Sequence, residues 1–139
     1  MPRSEDKIQL KWPYWYHPDA PLGSADRYVA SLSGCFNWVG IYILKGDYLE
    51  LGPFLGEPTE QTEIPVGTGV CGAPSEWVVL IQDKKGKTLG QINIDSHTPA
   101  AFGPEVENRV RKVAEELGQC CSREDFINWK ENESKSKKK

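Results

Sequence analysis

The segment FNWVGIYIL at residues 36–44 decides the fold. It is rich in the β-branched and aromatic residues that favour strands, and the turn KGD separates it from a second alternating run at residues 48–54. Two such runs joined by a short glycine turn predict a β-hairpin. Residues 76–82 and 88–95 flank the polar stretch DKKGK and predict a second hairpin. The four runs together predict an antiparallel sheet.

Helices are predicted before and after this sheet. Ser24 is a typical N-cap for a short helix over residues 25–32 that ends near Gly34. A second helix is predicted to begin beyond residues 102–104. Gly118 either ends this helix or bends it. Its apolar side chains recur at helical spacing, at Val106, Val110, Val113, Ala114 and Leu117. The predicted fold class is α+β, an antiparallel sheet flanked by N- and C-terminal helices.

The chain divides into three predicted regions. Residues 1–19 form an aromatic, proline-containing arm, whose rings either cover one end of the core or offer a patch to a partner. Residues 20–130 form the domain, with a glycine- and proline-rich irregular loop at residues 56–75. Residues 131–139 are polar and end in lysines, so a disordered tail is expected there.

Composition narrows the classes of protein to which the chain can belong. A length of 139 residues with 38% hydrophobic content suits one domain. The net charge is -3 and no basic stripe is present, so we expect no nucleic-acid partner. The apolar runs are shorter than the roughly 20 residues that cross a bilayer, and the N-terminus has no apolar signal region. A cytoplasmic protein without a membrane partner is therefore expected.

The cysteines are expected to be free thiols. There are four, at positions 35, 71, 120 and 121, and no pair has CxxC spacing. The two histidines, His17 and His97, are not spaced with cysteines as metal ligands are. The sequence therefore predicts neither a metal site nor a cofactor.

The motif NWVGIY at residues 37–42 places Trp38, Gly40 and Tyr42 on one face of the first strand. Gly40 leaves space between the two rings. That space either admits an apolar group of a ligand or lets a core-facing tryptophan pack.

The loop motif IPVGTGVCG at residues 64–72 places glycines beside Cys71. Exposed backbone amides in such a loop stabilise a thiolate and lower the pKa of a cysteine, which favours Cys71 as a reactive residue. The alternative is a buried, inert cysteine. The motif is not a phosphate loop, because no Gly-Lys-Ser/Thr follows it.

Two carboxylates mark the ends of neighbouring strands. Glu76 opens one strand of the second hairpin and Asp95 closes the other, so the two side chains are predicted to lie side by side. Like charges at close range favour one shared proton, and one of the two groups could act as a general acid. The alternative is that Asp95 and Ser96 cap the turn before Thr98 while Glu76 is a solvated strand end.

Five motifs in this order resemble the free methionine-(R)-sulfoxide reductases, which are GAF-fold enzymes. They are NWVGIY at 37–42, LGPFLG at 51–56, IP with GTGVCG at 64–72, SE at 75–76 and GQINIDS at 90–96. The resemblance covers about residues 34–118. It implies a GAF-like domain, usually a homodimer, that acts on free methionine sulfoxide and is regenerated by thioredoxin or a similar thiol donor.

The resemblance also implies roles for individual residues. Cys71 would match the family's Gly-Val-Cys-Gly cysteine, and Cys71, Glu76 and Asp95 would be catalytic, with the acids as proton donor and anchor for the substrate's amino group. The substrate-binding residues would be Trp38, Tyr42, Phe54 and Asn93, the aromatic ones around the methyl-sulfur end. A second thiol would resolve the sulfenic acid to a disulfide, which the donor reduces.

Three departures from the family pattern bear on activity. Only Gly72, Ala73 and Pro74 separate Cys71 from Ser75, whereas the family has a longer segment that carries the usual nucleophile. Gln61 stands where the family often has a cysteine, and Asn93 replaces an acid. Either Cys71 has become the nucleophile, with Cys35, an intermolecular thiol or the donor resolving the sulfenic acid, or the domain is a catalytically silent GAF module for binding or sensing.

Overall fold

The structure, a computed structural model, describes residues 12–66, 75–98 and 103–137. Within these ranges the chain forms five strands and four helices. In chain order they are α1 (Pro21–Ser31), β1 (Trp38–Lys45), β2 (Tyr48–Leu55), β3 (Glu63–Pro65), β4 (Ser75–Gln82), β5 (Thr88–Ser96), α2 (Pro104–Cys120), α3 (Arg123–Ile127) and α4 (Trp129–Lys137). The predicted α+β class is confirmed.

The described strands form one antiparallel sheet in the order β3-β2-β1-β5-β4. Both predicted hairpins are present, and Gly46 and Gly86 take the positive φ values of 69° and 82° that their turns require. The sequence did not predict β3, which lies in the segment expected to be irregular. It pairs with β2 because Ile64 lies opposite Leu49 and both are buried.

Alternation along the central strands gives the sheet two different faces. One face carries Ile41 of β1 and Ile94 of β5, and it packs against helices α1, α2 and α3 in the main core. The other face carries Trp38 and Tyr42, which form a smaller cluster with Leu49, Ile64 and side chains of β2. Polar residues of β5 lie on this second face as well, so the candidate site belongs there.

Helix α1 begins earlier than the sequence predicts. Pro21 occupies the first turn, where its fixed φ and missing N–H are tolerated. Ser24 is not the N-cap but lies inside the helix, where its hydroxyl donates to the Pro21 carbonyl at 3.0 Å and accepts from the His17 N–H at 3.2 Å. The start was misplaced because a serine that bonds within the first turn resembles a cap in sequence.

Gly118 neither ends α2 nor marks a break in it, since the helix continues to Cys120. A Cβ added at Gly118 would overlap the backbone carbonyl of Gln82 at the end of β4. The glycine therefore allows α2 to approach the sheet closely. The predicted apolar stripe is confirmed, because four of its five residues are buried and Val106 is half-buried.

A disordered tail was expected at residues 131–139, and the structure describes residues 131–137 of it as helical. Residues 131–137 lie in α4, and Glu133 is only 8% exposed. Its Oε2 accepts a hydrogen bond of 3.2 Å from the backbone N–H of Gly23, in the first turn of α1. An acidic group at a helix N-terminus is favoured by the helix dipole, an interaction that composition does not reveal.

The described part of the aromatic arm, from Trp12 onward, packs on the domain. The Trp15 ring stacks on Tyr28 with centroids 6.2 Å apart, and its Nε1 donates to Glu116 at 3.2 Å. Trp15 and Tyr16 both contact the main core, which agrees with the first of the two expectations for the arm. Among the helices described, none is long and apolar enough to span a membrane.

Candidate active site

Three aromatic side chains form a wall on the second face of the sheet. The Trp38 ring stacks on Phe54 of β2 with centroids 5.7 Å apart and planes 19° apart, and it lies 6.2 Å from Tyr42. The Trp38 Nε1 donates to the Glu57 carbonyl at 2.9 Å, and the Tyr42 hydroxyl donates to the Gln61 carbonyl at 2.7 Å. These bonds fix both rings to the segment that follows β2.

Gly40 makes room for the Trp38 ring. A Cβ added at Gly40 would overlap ring carbons of Trp38, so the space above the glycine is filled by the tryptophan itself. Of the two expectations for this glycine, the structure favours packing over a gap for a ligand. The glycine thus positions the aromatic wall.

Asp95 and Glu76 lie directly opposite each other on β5 and β4, as the hairpin predicts. Asp95 is 9% exposed, and its Oδ1 is buried with no hydrogen-bond partner among the described residues, whereas Glu76 is exposed. Burial, and then the charge of Glu76, raise the pKa of Asp95 to about 6. The Asp95 carboxyl therefore keeps its proton up to a higher pH than an ordinary aspartate does.

The turn after β5 is held by residues other than the Asp95 side chain. The Ser96 hydroxyl accepts from the Thr98 N–H at 3.0 Å and donates to the Cys35 carbonyl at 2.5 Å. Asn37 Oδ1 accepts from the His97 N–H at 2.6 Å. Of the two residues that the alternative expected to cap this turn, only Ser96 does so. The Asp95 carboxyl is left for another role.

A pair of buried amides lies on the same face of β5. Asn93 is 1% exposed, and its Oδ1 accepts a hydrogen bond of 2.6 Å from Gln91 Nε2, whose residue is fully buried. Gln91 lies opposite Tyr42 in the register. We did not single out Gln91 from the sequence, although its spacing of two and four residues from Asn93 and Asp95 places all three on one face.

Tyr42 is held as a neutral phenol. Its side chain is fully buried in the smaller cluster. Burial, and then the charge of Asp95, raise the pKa of Tyr42 to about 12. The phenol therefore keeps its proton near neutral pH and remains a hydrogen-bond donor.

Cys71, the predicted nucleophile, lies outside the described residues. Cys35, Cys120 and Cys121 are free thiols, as the sequence predicts. Burial raises the pKa of Cys120, and it raises that of Cys121 to about 12, so neither thiol forms a thiolate readily. Cys35 is exposed beside the turn that follows Asp95. In the described ranges, no three carboxylate, imidazole or thiol groups could hold one metal ion.

The geometry combines an apolar wall, a carboxyl group that can donate a proton and a buried amide pair on one sheet face. Trp38 lies opposite Asp95, and Gly40 lies opposite Asn93, so the wall and the polar groups are adjacent. Such a face can hold a small molecule with an apolar end and a polar end. It can also protonate an oxygen atom of that molecule.

Comparison with known proteins identifies relatives of this chain. No family model matches it. The free methionine-R-sulfoxide reductase of Escherichia coli (strain K12) is 30% identical over 115 aligned positions, which cover 65% of this chain and 69% of that protein. The type II free methionine-R-sulfoxide reductase from Thermoplasma acidophilum superposes with a TM-score of 0.62 at 27% identity, over 69% of this chain and 86% of that one.

A solved GAF domain superposes with a TM-score of 0.64 at 26% identity, over 85% of this chain and 84% of that one. The fold is therefore that of a GAF domain, with the sheet and flanking helices described above. By its similarity to the Escherichia coli protein and by this fold, the chain belongs to the free methionine-R-sulfoxide reductase family.

Proposed function

We propose that this chain reduces free methionine-(R)-sulfoxide to methionine on the sheet face that carries Trp38, Tyr42 and Asp95. Membership of the reductase family supports the substrate. The observation that carries the proposal is the buried Asp95 carboxyl beside the aromatic wall and opposite Glu76. A proton donor next to an apolar wall suits a substrate that joins a methyl-sulfur group to a basic oxygen.

In the proposed reaction, the Cys71 thiolate bonds to the sulfoxide sulfur while Asp95 gives a proton to the sulfoxide oxygen. The sulfur–oxygen bond of the substrate then breaks and the oxygen passes to the cysteine sulfur. The products are methionine, which is the reduced partner, and the sulfenic acid of Cys71, which is the oxidised one. Trp38, Tyr42, Phe54 and Asn93 would bind the substrate, with Glu76 near its amino group.

A second thiol then attacks the sulfenic acid, which forms a disulfide and releases water. Cys35 is the candidate within the chain, since it is exposed and its carbonyl accepts a hydrogen bond from Ser96, next to Asp95. A dithiol donor such as a thioredoxin-like protein reduces this disulfide. We expect a homodimer, which light scattering on the purified protein would test.

The cysteine assignment is tested by a single turnover without a thiol donor. Reduced wild-type protein should form about one methionine per chain, and intact mass should show either one added oxygen atom or a disulfide. Cys71→Ser should form none. Cys35→Ser should form the same first methionine but turn over slowly with a thioredoxin, whereas Cys120→Ser, which alters a half-buried thiol with a raised pKa, should behave as wild type.

A single turnover in Cys71→Ser equal to wild type would contradict the assignment of the nucleophile. If only Cys35→Ser lost the first methionine, Cys35 would be the attacking thiol instead. Either result can be interpreted directly, because the assay measures methionine formed per chain in a single turnover and needs no reductant.

The second candidate function is a GAF module that binds a small molecule without turnover. The sequence feature that favours it is the short segment between Cys71 and Ser75, which has little length to cover the substrate and exclude water. Under this alternative no methionine forms, while free methionine or its sulfoxide raises the melting temperature by binding only the folded state.

A further inference from the structure

A second cleft lies between α1, the end of β2 and α4. Its volume is about 570 Å³, within the range of small-molecule sites. Asp26 and Arg27 of α1, Trp129 and Glu133 of α4 and residues 52–55 of β2 line it. Phe54 also belongs to the aromatic wall, but the other lining residues have no role in the proposed reductase reaction.

One residue that lines the cleft has a carboxylate oxygen that lacks a donor. Asp26 is 2% exposed, and its Oδ1 has no hydrogen-bond partner among the described residues. An unsatisfied buried carboxylate is unfavourable, and an ordinary solvated aspartate in a surface helix would avoid it. Asp26 is therefore a buried acceptor without a partner among the residues that line the cleft.

The second acid of the cleft is fixed in place. Glu133 is 8% exposed, and its Oε2 accepts from the Gly23 N–H. A Cβ added at Gly23 would lie 2.6 Å from Glu133 Oε1, so this carboxylate lies directly against the first turn of α1. Two acidic groups on different helices therefore line one cleft, with Arg27 as an exposed cation beside them.

We propose that this cleft binds a small organic cation whose primary ammonium group donates hydrogen bonds to Asp26 and Glu133. An ammonium has three N–H donors and no acceptor, so it supplies what the Asp26 Oδ1 lacks. Its charge also offsets that of Glu133, and that of Asp26 once Asp26 has released its proton. The apolar stem of the ligand would lie along Trp129, which lines the cleft one helical turn before Glu133.

Binding of a cation should be linked to release of a proton. Burial raises the pKa of Asp26 to about 8, while Arg27 lowers it and Glu133 raises it. His17 is the other titratable group that lines the cleft, and residues 52–55 of β2 carry no charge. Near neutral pH the Asp26 carboxyl therefore holds its proton more than an ordinary aspartate does, and the cation must displace that proton.

The experiment uses the full chain with n-butylammonium chloride as the probe and 1-butanol as its uncharged counterpart. We expect calorimetry to detect binding of n-butylammonium but not of 1-butanol, and affinity to rise about tenfold between pH 7 and pH 9 as Asp26 ionises. At ten times the dissociation constant the melting temperature should rise by about 3–5 °C. The heat of binding should depend on the buffer, because a proton is released.

Two variants locate the site. Asp26→Asn should weaken n-butylammonium binding at least tenfold and remove its pH dependence, while Glu131→Gln, which changes an exposed acid of the same helix, should bind as wild type. If Asp26→Asn does not fold, Glu133→Gln should still weaken n-butylammonium binding at least tenfold, while the pH dependence that comes from Asp26 remains.

Equal responses of the wild type to n-butylammonium and 1-butanol would overturn the proposal without any variant. Unchanged binding in a folded Asp26→Asn protein would overturn it as well, and so would stabilisation by magnesium or zinc chloride in place of the amine. None of these results depends on reductase activity.

Discussion

Asp95 and Asp26 each keep a carboxylate oxygen that has no hydrogen-bond partner among the described residues. Burial is the main cause of the raised pKa in both, to about 6 for Asp95 and about 8 for Asp26. The two lie in different places, one at the end of β5 opposite Glu76 and the other in α1 beside Glu133. Each therefore has its own measurable titration.

For Asp95 we predict a break in the pH profile of kcat/KM near pH 6, where the carboxyl changes its protonation state. Asp95→Asn should lower kcat/KM about 100- to 1000-fold and remove this break, because an amide cannot transfer the proton. The measurement is initial rates of methionine formation from pH 5 to pH 9. A break near pH 6 that persists in Asp95→Asn would assign it to another group.

For Asp26 we predict an effect on stability. Its folded pKa lies above the ordinary value of 3.8, so the folded state binds the proton more tightly than the unfolded state does, and stability falls as pH rises towards about 8. Between pH 5 and pH 9, the unfolding free energy of the wild type should therefore fall by about 2–4 kcal/mol more than that of Asp26→Asn. Urea unfolding at both pH values measures this, with Glu131→Gln as the control.

At the residue scale the sequence predicted the pairing of Glu76 with Asp95, because the register of a hairpin follows from its turn and its alternation. It did not predict Asp26. That aspartate lies in an ordinary helical pattern, and its burial in the cleft depends on α4, a helix that composition indicated to be disordered. Long-range burial of this kind has no local signal.

At the scale of elements, the approach of α2 to β4 depends on Gly118. Gly118→Ala should lower the unfolding free energy by about 2–3 kcal/mol, because the new Cβ overlaps the Gln82 carbonyl and the backbone must move. Gly34→Ala is the matched control, since a Cβ there meets nothing within 4 Å, and its effect should stay within about 0.5 kcal/mol. Equal effects of the two changes in urea unfolding would contradict the close packing.

The hairpins were predictable because alternation and turn chemistry are local. The start of α1 and the short strand β3 were not, since Ser24 bonds within the helix and Ile64 is drawn to β2 by burial of its side chain. Helix α4 was missed for a similar reason. In this polar segment Glu133 contacts the first turn of α1, which composition does not reveal.

At the scale of the molecule, one sheet separates two environments. The helices pack on one face in the main core, and the aromatic wall, Asp95 and the buried amides lie on the other. This division follows from strand alternation, so much of the candidate site could be read from residues 38–42 and 91–95. The resemblance to the reductases supplied the substrate, which the packing of the described residues does not reveal, and the role of Cys71 stays a prediction.

The most direct measurement is dithiothreitol-dependent consumption of free methionine-(R)-sulfoxide by the purified chain, with free methionine-(S)-sulfoxide as the matched substrate. We predict that the R form is consumed to give methionine over many turnovers while the S form remains. If neither form is consumed, the result contradicts the reductase proposal and favours the GAF module that only binds. Loss of both at equal rates would contradict a site that orients the substrate.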